Sequence, residues 1–327
     1  MATRWSVLLA LLVGCSTSRL EDEWAVTLDA MQGLPLAVVD SLPTAGSVGI
    51  SQEFSPYLLL SRPLRTTESV TLDLVDDAGE AIPTTPRRDA DDLGVRFAAG
   101  VLERDRGFSG QLSLGGLPSA ELDFTTASPT GPAYNMSTGL DVERFGGGTG
   151  QLGLINELFI PGSFPLWTLQ LEGVSAPATL PQVVDFVFAP SRLDDVSPQY
   201  VVHVEWGFVS VVRGVAFGAD GGFSAQADAL FLPLWSSEGV SLLHMTEVTL
   251  TGTASLAGTT VSLDSLTLTG VLGTRSLLLL ADVSEGWHTA IAGSRPDVDT
   301  NGNGVPDAVT FGFSSTPSPI ALDEVDQ

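Results

Sequence analysis

Apolar and polar residues alternate with a period of two through much of the chain, the signature of half-buried strands. Val70, Leu72 and Leu74 alternate with Thr71 and Asp73, and Asp76-Asp77-Ala78-Gly79 supplies a turn. Val95-Arg96-Phe97 predicts a short strand, and Gln111-Leu112-Ser113-Leu114 alternates up to the turn pair Gly115-Gly116. Leu122 and Phe124 share one face, opposite Glu121, Asp123 and Thr125. Further along, Val202, Val204, Trp206 and Phe208 line one face, with His203 and Glu205 on the other. Between Met245 and Leu256, Val248, Leu250 and Leu256 oppose Thr249, Thr251, Thr253 and Ser255. A turn at Ala257-Gly258 returns the chain through Val261-Ser262-Leu263. The apolar phase then moves to Leu266 and Leu268, which places a bulge near Asp264-Ser265. Ser276 to Ala292, with Leu277 to Leu280 and Ile291, is the exception and suits a short helix. The fold class that follows is all-β.

Composition agrees. The 35 Gly and 20 Pro exceed ordinary usage, as turns between short strands require. Ser128-Pro129-Thr130-Gly131-Pro132 reads as a linker, 128–132, between a sandwich over 38–127 and a second β-rich sandwich or barrel-like domain over 133–327. Ser16 to Ala37 lacks a strong period and carries Glu21-Asp22-Glu23, so 15–37 reads as a solvated tether, with Trp24 to Leu28 as a possible short strand.

Charge narrows the function. Asp plus Glu number 39 against 14 basic residues, a net −25, which argues against a nucleic-acid partner because phosphate contacts need clustered cations. Every basic residue is Arg, so no lysine nucleophile exists. The lone Cys15 excludes a disulfide framework and Cys-paired zinc sites. Arg4, an apolar run from Ser6 to Val13 and a small residue before Cys15 follow secretory signal grammar, in a run far shorter than the ~20 residues of a membrane span. Leu12-Val13-Gly14-Cys15 resembles the bacterial lipobox. That resemblance implies a signal peptide over 1–14, a lipidated Cys15 at the mature terminus and attachment to the membrane through acyl chains. It implies a cell-envelope location, with the outer membrane or cell surface preferred to the inner membrane.

The segment 38–127 resembles the bacterial Ig-like domain. Its matches are Leu42-Pro43-Thr44-Ala45-Gly46, Ser61-Arg62-Pro63-Leu64, Val70-Thr71-Leu72 before Gly79, Val95-Arg96-Phe97-Ala98, and the closing Phe124-Thr125-Thr126-Ala127. Leu60 stands in place of Phe, Ala99 in place of a common Pro, and Phe108 in place of a Tyr. The resemblance implies a spacer or binding platform, with no catalytic position among the matched residues.

One stretch carries chemistry. Asp297, Asp299 and Asn301 place side-chain oxygens at positions 1, 3 and 5 of a loop, Gly302 permits its sharp turn, and Asn303 offers a carbonyl. Hard oxygen donors at this spacing suit Ca²⁺. With Asp307 at position 11, the loop over 297–307 resembles the calcium loops of EF-hand and thrombospondin type 3 families. Ala308 stands where an EF-hand has its bidentate Glu, so the expected affinity is weak, ~10⁻⁴–10⁻³ M. Gly146-Gly147-Gly148-Thr149-Gly150 lacks the Lys of a phosphate loop and reads as a turn. His203, His244 and His288 are far apart, and neither a His-Glu-x-x-His helix nor a Gly-x-Ser-x-Gly elbow is present. Phe231-Leu232-Pro233-Leu234-Trp235 reads as core before ligand patch. The resulting expectation is a lipid-anchored, non-enzymatic binding, adhesion or structural module with a protein or glycan ligand. The alternatives are a carbohydrate- or lipid-active enzyme with its site in the C-terminal domain, and a small-ligand carrier.

Overall fold

The computed structural model describes residues 21–22, 24–147, 152–159, 166–193, 200–202, 210–236, 239–300, 302 and 304–323. Strands dominate it. In the first half, β1 (Val38–Leu42), β2 (Tyr57–Leu60), β5 (Thr84–Arg88) and β6 (Gly94–Ala99) form one sheet in the order β1-β2-β6-β5. The strands β3 (Val70–Asp76), β4 (Ala81–Ile82), β7 (Gly107–Leu114) and β8 (Leu117–Thr125) form a second, in the order β4-β3-β7-β8. All neighbours are antiparallel. These orders correspond to the ABED and CFG sheets of an immunoglobulin sandwich, with β4 as an extra edge. The alternation seen in the sequence sets the faces: Val70, Leu72, Leu74, Leu122 and Phe124 are buried in the shared core, and Phe108 stacks on Phe124 at 5.3 Å.

Within the stretch expected to be a tether, the described residues are folded against the sandwich. Residues 24–31 form helix α1, whose Trp24, Leu28 and Met31 pack on the sandwich core. Arg62 then pins the chain that follows. Its guanidinium donates to the Leu34 carbonyl at 2.9 Å and pairs with Glu68 at 2.8 and 2.6 Å. That pairing, with the Arg65 N–H, pulls the Glu68 carboxyl down to about 2. Apolar contact and a fastened exit, rather than solvation, therefore decide this segment.

In the second half, β9 (Ala133–Asn135), β10 (Asp141–Phe145), β11 (Leu166–Glu172), β12 (Gln182–Leu193), β13 (Tyr200–Val202), β14 (Ser210–Phe217), β15 (Gly222–Ser236), β16 (Gly239–Ala257), β17 (Thr260–Gly273), β18 (Ala308–Ser315), β19 (Ser318–Ile320) and β20 (Leu322–Asp323) build one large sheet. Its path runs β10-β18-β17-β16-β15-β14-β12-β11-β9-β19, with β13 and β20 appended to β12. The two ends meet on the same chain segments. The chain carrying β9 and β10 pairs with the chain carrying β18 and β19, and Thr316 N–H bridges the gap to the Thr138 carbonyl at 2.9 Å. The sheet therefore curls into a barrel-like wall of sequential antiparallel strands. Its interior holds Leu169, Phe186, Val215, Leu250, Leu268 and Phe311, among others.

Helix α2 (Leu152–Phe159), and then α3 (Thr274–Val283) and α4 (Glu285–Gly293) where the sequence expects a helix, add Ile155, Leu277, Leu280 and the fully buried Trp287 to that core. The phase change in β17 is a bulge at Asp264, since Thr253 faces Ser265 while Ala254 faces Leu263. Leu256 departs from expectation and is 45% exposed, although its cross-strand partner Val261 is buried in the barrel core. The expected strand face of Val204, Trp206 and Phe208, with His203 and Glu205 behind it, lies outside the described residues, whereas Val202 is buried at the end of β13.

Candidate functional site

The loop over 297–307 is closed at its base by an antiparallel bridge between Val298 and Ala308. Gly302 and Gly304 take left-handed φ values of 71° and 83°, which side chains other than glycine resist. The carboxylates cap the turns they lie in. Asp299 accepts from the N–H groups of Gly302 at 2.8 Å and Gly304 at 2.6 Å. Asp307 accepts from the Thr300 N–H at 2.7 Å and its hydroxyl at 2.9 Å. Asp297 reaches outward to the Thr310 N–H at 2.8 Å. Asn301 and Asn303 lie outside the described residues, as does Cys15. Among the described residues, no three acidic, cysteine or histidine side chains converge on one point. In the glycine run, Gly146 has φ 63°, and the N–H groups of Gly146 and Gly147 are pinned to the carbonyls of Thr310 and Arg295; 148–150 lie outside the described residues.

The densest polar chemistry lies elsewhere, where sandwich meets barrel. The turn between β5 and β6 carries Asp89-Ala90-Asp91-Asp92, with Asp92 left-handed at φ 55°. Gly94 follows because a Cβ there would lie 1.9 Å from Asp89 Oδ2 and 2.2 Å from the Tyr57 hydroxyl. Tyr57, from β2, donates to Asp89 Oδ2 at 2.8 Å. Arg275, from the first turn of α3, crosses from the barrel. Its Nε donates to Asp91 Oδ2 at 2.6 Å, and its Nη2 donates to Asp89 Oδ2 at 2.9 Å and to the Tyr57 oxygen at 3.1 Å.

Burial opposes the Arg275 cation, but Tyr57, Asp91 and Asp89 outweigh it and hold its pKa above the ordinary value. Burial, reinforced by Asp89, pushes the Tyr57 phenol far above its usual range, although Arg275 works in the opposite direction. Tyr57 thus remains a neutral donor. A cleft of about 330 Å³ opens beside this cluster.

The rest of the seam is apolar and well tied. Phe231 and Leu242 of the barrel are buried within the sandwich's own cluster, and the Phe231 ring meets Tyr57 edge-on at 6.5 Å and His244 at 5.0 Å. Phe231 and Leu232 thus follow the core reading of their segment, one in each cluster. His244 Nε2 lies 3.1 Å from Asp40 Oδ2. Arg213 donates to the Ala45 carbonyl. The expected linker is fastened too: Gln170 donates to the carbonyls of Pro129 at 2.9 Å and Gly131 at 2.7 Å, and the Thr130 N–H donates to Glu172 at 2.8 Å.

Sequence reasoning singles out none of Asp89, Asp91 or Arg275. The available signals are an acidic run in a turn and a solitary Arg ahead of four leucines. No protein-family model matches the chain, and no curated protein matches it.

Proposed function

We propose that the chain is a bacterial envelope lipoprotein, anchored through an acylated Cys15 in the outer membrane or at the cell surface. It displays an Ig-like sandwich and a barrel-like domain as one non-enzymatic binding, adhesion or structural module for a protein or glycan ligand. The observation that supports this reading most is the seam. A spacer needs only a covalent join to its neighbour, whereas this sandwich encloses Phe231 and Leu242 of the barrel and grips Arg275 with two carboxylates. Such an arrangement holds a surface in fixed orientation, which lowers the entropy lost when a ligand binds.

The leash is short. Nine residue steps from Cys15 to Trp24 span at most about 30 Å, so the body stays close to its membrane. Stable attachment requires more than one acyl chain, since a single chain binds only reversibly. Ca²⁺ would be held at the loop over 297–307 in a structural role by Asp297, Asp299 and Asp307, together with Asn301 and Asn303, and would have to draw together carboxylates that cap separate turns. The test is metabolic labelling with a fatty-acid probe in a bacterial host. The wild-type chain should incorporate the label and fractionate with membranes, and Cys15→Ala should do neither. Label retained by Cys15→Ala would sink the anchor.

A further inference from the structure

We infer that the cleft at the sandwich–barrel seam is a binding site for a neutral sugar, a single pyranose or the end of a glycan. The inference rests on the envelope reading above and names its ligand. The cleft holds about 330 Å³, within the range of small-molecule sites, and it lies at a domain boundary, where such sites concentrate. Its charged lining is balanced, with Asp89 and Asp91 set against Arg96 and Arg275. The lining thus carries no net formal charge to select an anion or a cation. Leu242, Leu279 and Ala90 supply the apolar wall.

The polar groups are held in place before any ligand arrives. Arg275 is fixed by three hydrogen bonds, and its side chain is 16% exposed. The Asp89–Arg275 pair, however, uses one of its two possible bonds. Among the described residues, Asp89 Oδ2 and Arg275 Nη2 are engaged, while Asp89 Oδ1 and Arg275 Nη1 have no protein partner. An acceptor and a donor thus stand on adjoining groups beside an apolar wall. A pair of adjacent sugar hydroxyls can donate to the one and accept from the other, and the C–H face of a pyranose suits leucine. Hydrogen bonds from a hydroxyl to a carboxylate, or to a hydroxyl from a guanidinium, are charge-assisted.

The experiment uses the full chain in a zwitterionic detergent without a sugar headgroup. Glucose, galactose, mannose and N-acetylglucosamine are titrated by calorimetry and saturation-transfer NMR. At least one should bind saturably. Ala90→Trp from the sandwich and Leu279→Trp from the barrel, which fill the cleft without removing a partner of Arg275, should each weaken it at least tenfold. Melting curves of both variants identify any loss caused by unfolding, and one folded variant suffices for the comparison. Absence of saturable binding to all four sugars would overturn the assignment. So would binding that neither variant disturbs, or binding of an N-acetylated amino-acid amide in their place. A failed sugar panel leaves the envelope reading intact, because that reading stands or falls on Cys15 labelling.

Discussion

At the scale of single residues, the seam depends on a position that carries no side chain. Gly94 leaves open the space that Asp89 Oδ2 and the Tyr57 hydroxyl occupy, and both atoms are bonded to Arg275. A methyl group there would have to displace a rigid, charge-paired cluster rather than a mobile chain end. Gly94→Ala should therefore cost about 1–3 kcal/mol in urea unfolding, the usual range for overpacking a filled site. Gly100, just beyond the same strand, has nothing within 4 Å of its Cβ position and provides the control. Gly100→Ala should be neutral or slightly stabilising, since it restricts the unfolded chain without a clash. Equal effects of the two substitutions would refute the steric argument. This cluster is hard to read in the sequence. Arg275 lies 184 residues from Asp91, and in a chain with 39 acids a run such as Asp89 to Asp92 looks like ordinary solvation.

At the scale of elements, local periodicity is legible and docking is not. The faces of β3 and β8, the bulge at Asp264 and the helical region after Thr274 all follow from patterns confined to a few residues. Helix α1 is different. Trp24, Leu28 and Met31 fall four and three residues apart, one helical face, but three apolar residues in an acidic stretch gain nothing until the sandwich receives them. The calcium-type loop shows the same limit. Its residue order suggests an ion, yet Asp299 already caps two N–H groups, and an ion must share those oxygens. That competition argues for the weak end of calcium affinities. With a Kd of ~1 mM, about 10 mM Ca²⁺ contributes about 1.4 kcal/mol. Calorimetric melting should then rise by about 2–4 °C over a chelated sample, and Asp299→Ala should abolish the increment. Superimposable melting curves with Ca²⁺ and with chelator would dismiss the ion.

At the scale of the whole molecule, the decisive feature is that the barrel contributes two side chains, Phe231 and Leu242, to the sandwich's core. Phe231 belongs to the longest hairpin of the barrel, formed by β15 and β16, yet it is 2% exposed within the sandwich's cluster. Ser210 Oγ brackets it, donating to its carbonyl and accepting from its N–H, each at 3.1 Å, so the ring is held at a fixed height above the barrel wall. Burial of this ring is driven by exclusion from water, whereas the polar contacts around it, Arg275 with Asp89 and Asp91 and His244 with Asp40, chiefly set orientation. Removing Phe231 should therefore weaken the coupling of the halves without destroying either. Phe231→Ala should cost about 3–5 kcal/mol. The single calorimetric transition expected of the wild-type chain should separate into two, one for the sandwich and one for the barrel. Arg275→Ala should lower the melting point yet leave one transition, because the apolar contact persists. Two independent transitions in the wild-type chain, or a Phe231→Ala variant that melts like it, would show that the halves are merely adjacent. A ligand seated at the seam, bound by residues of both domains, would stabilise the two together.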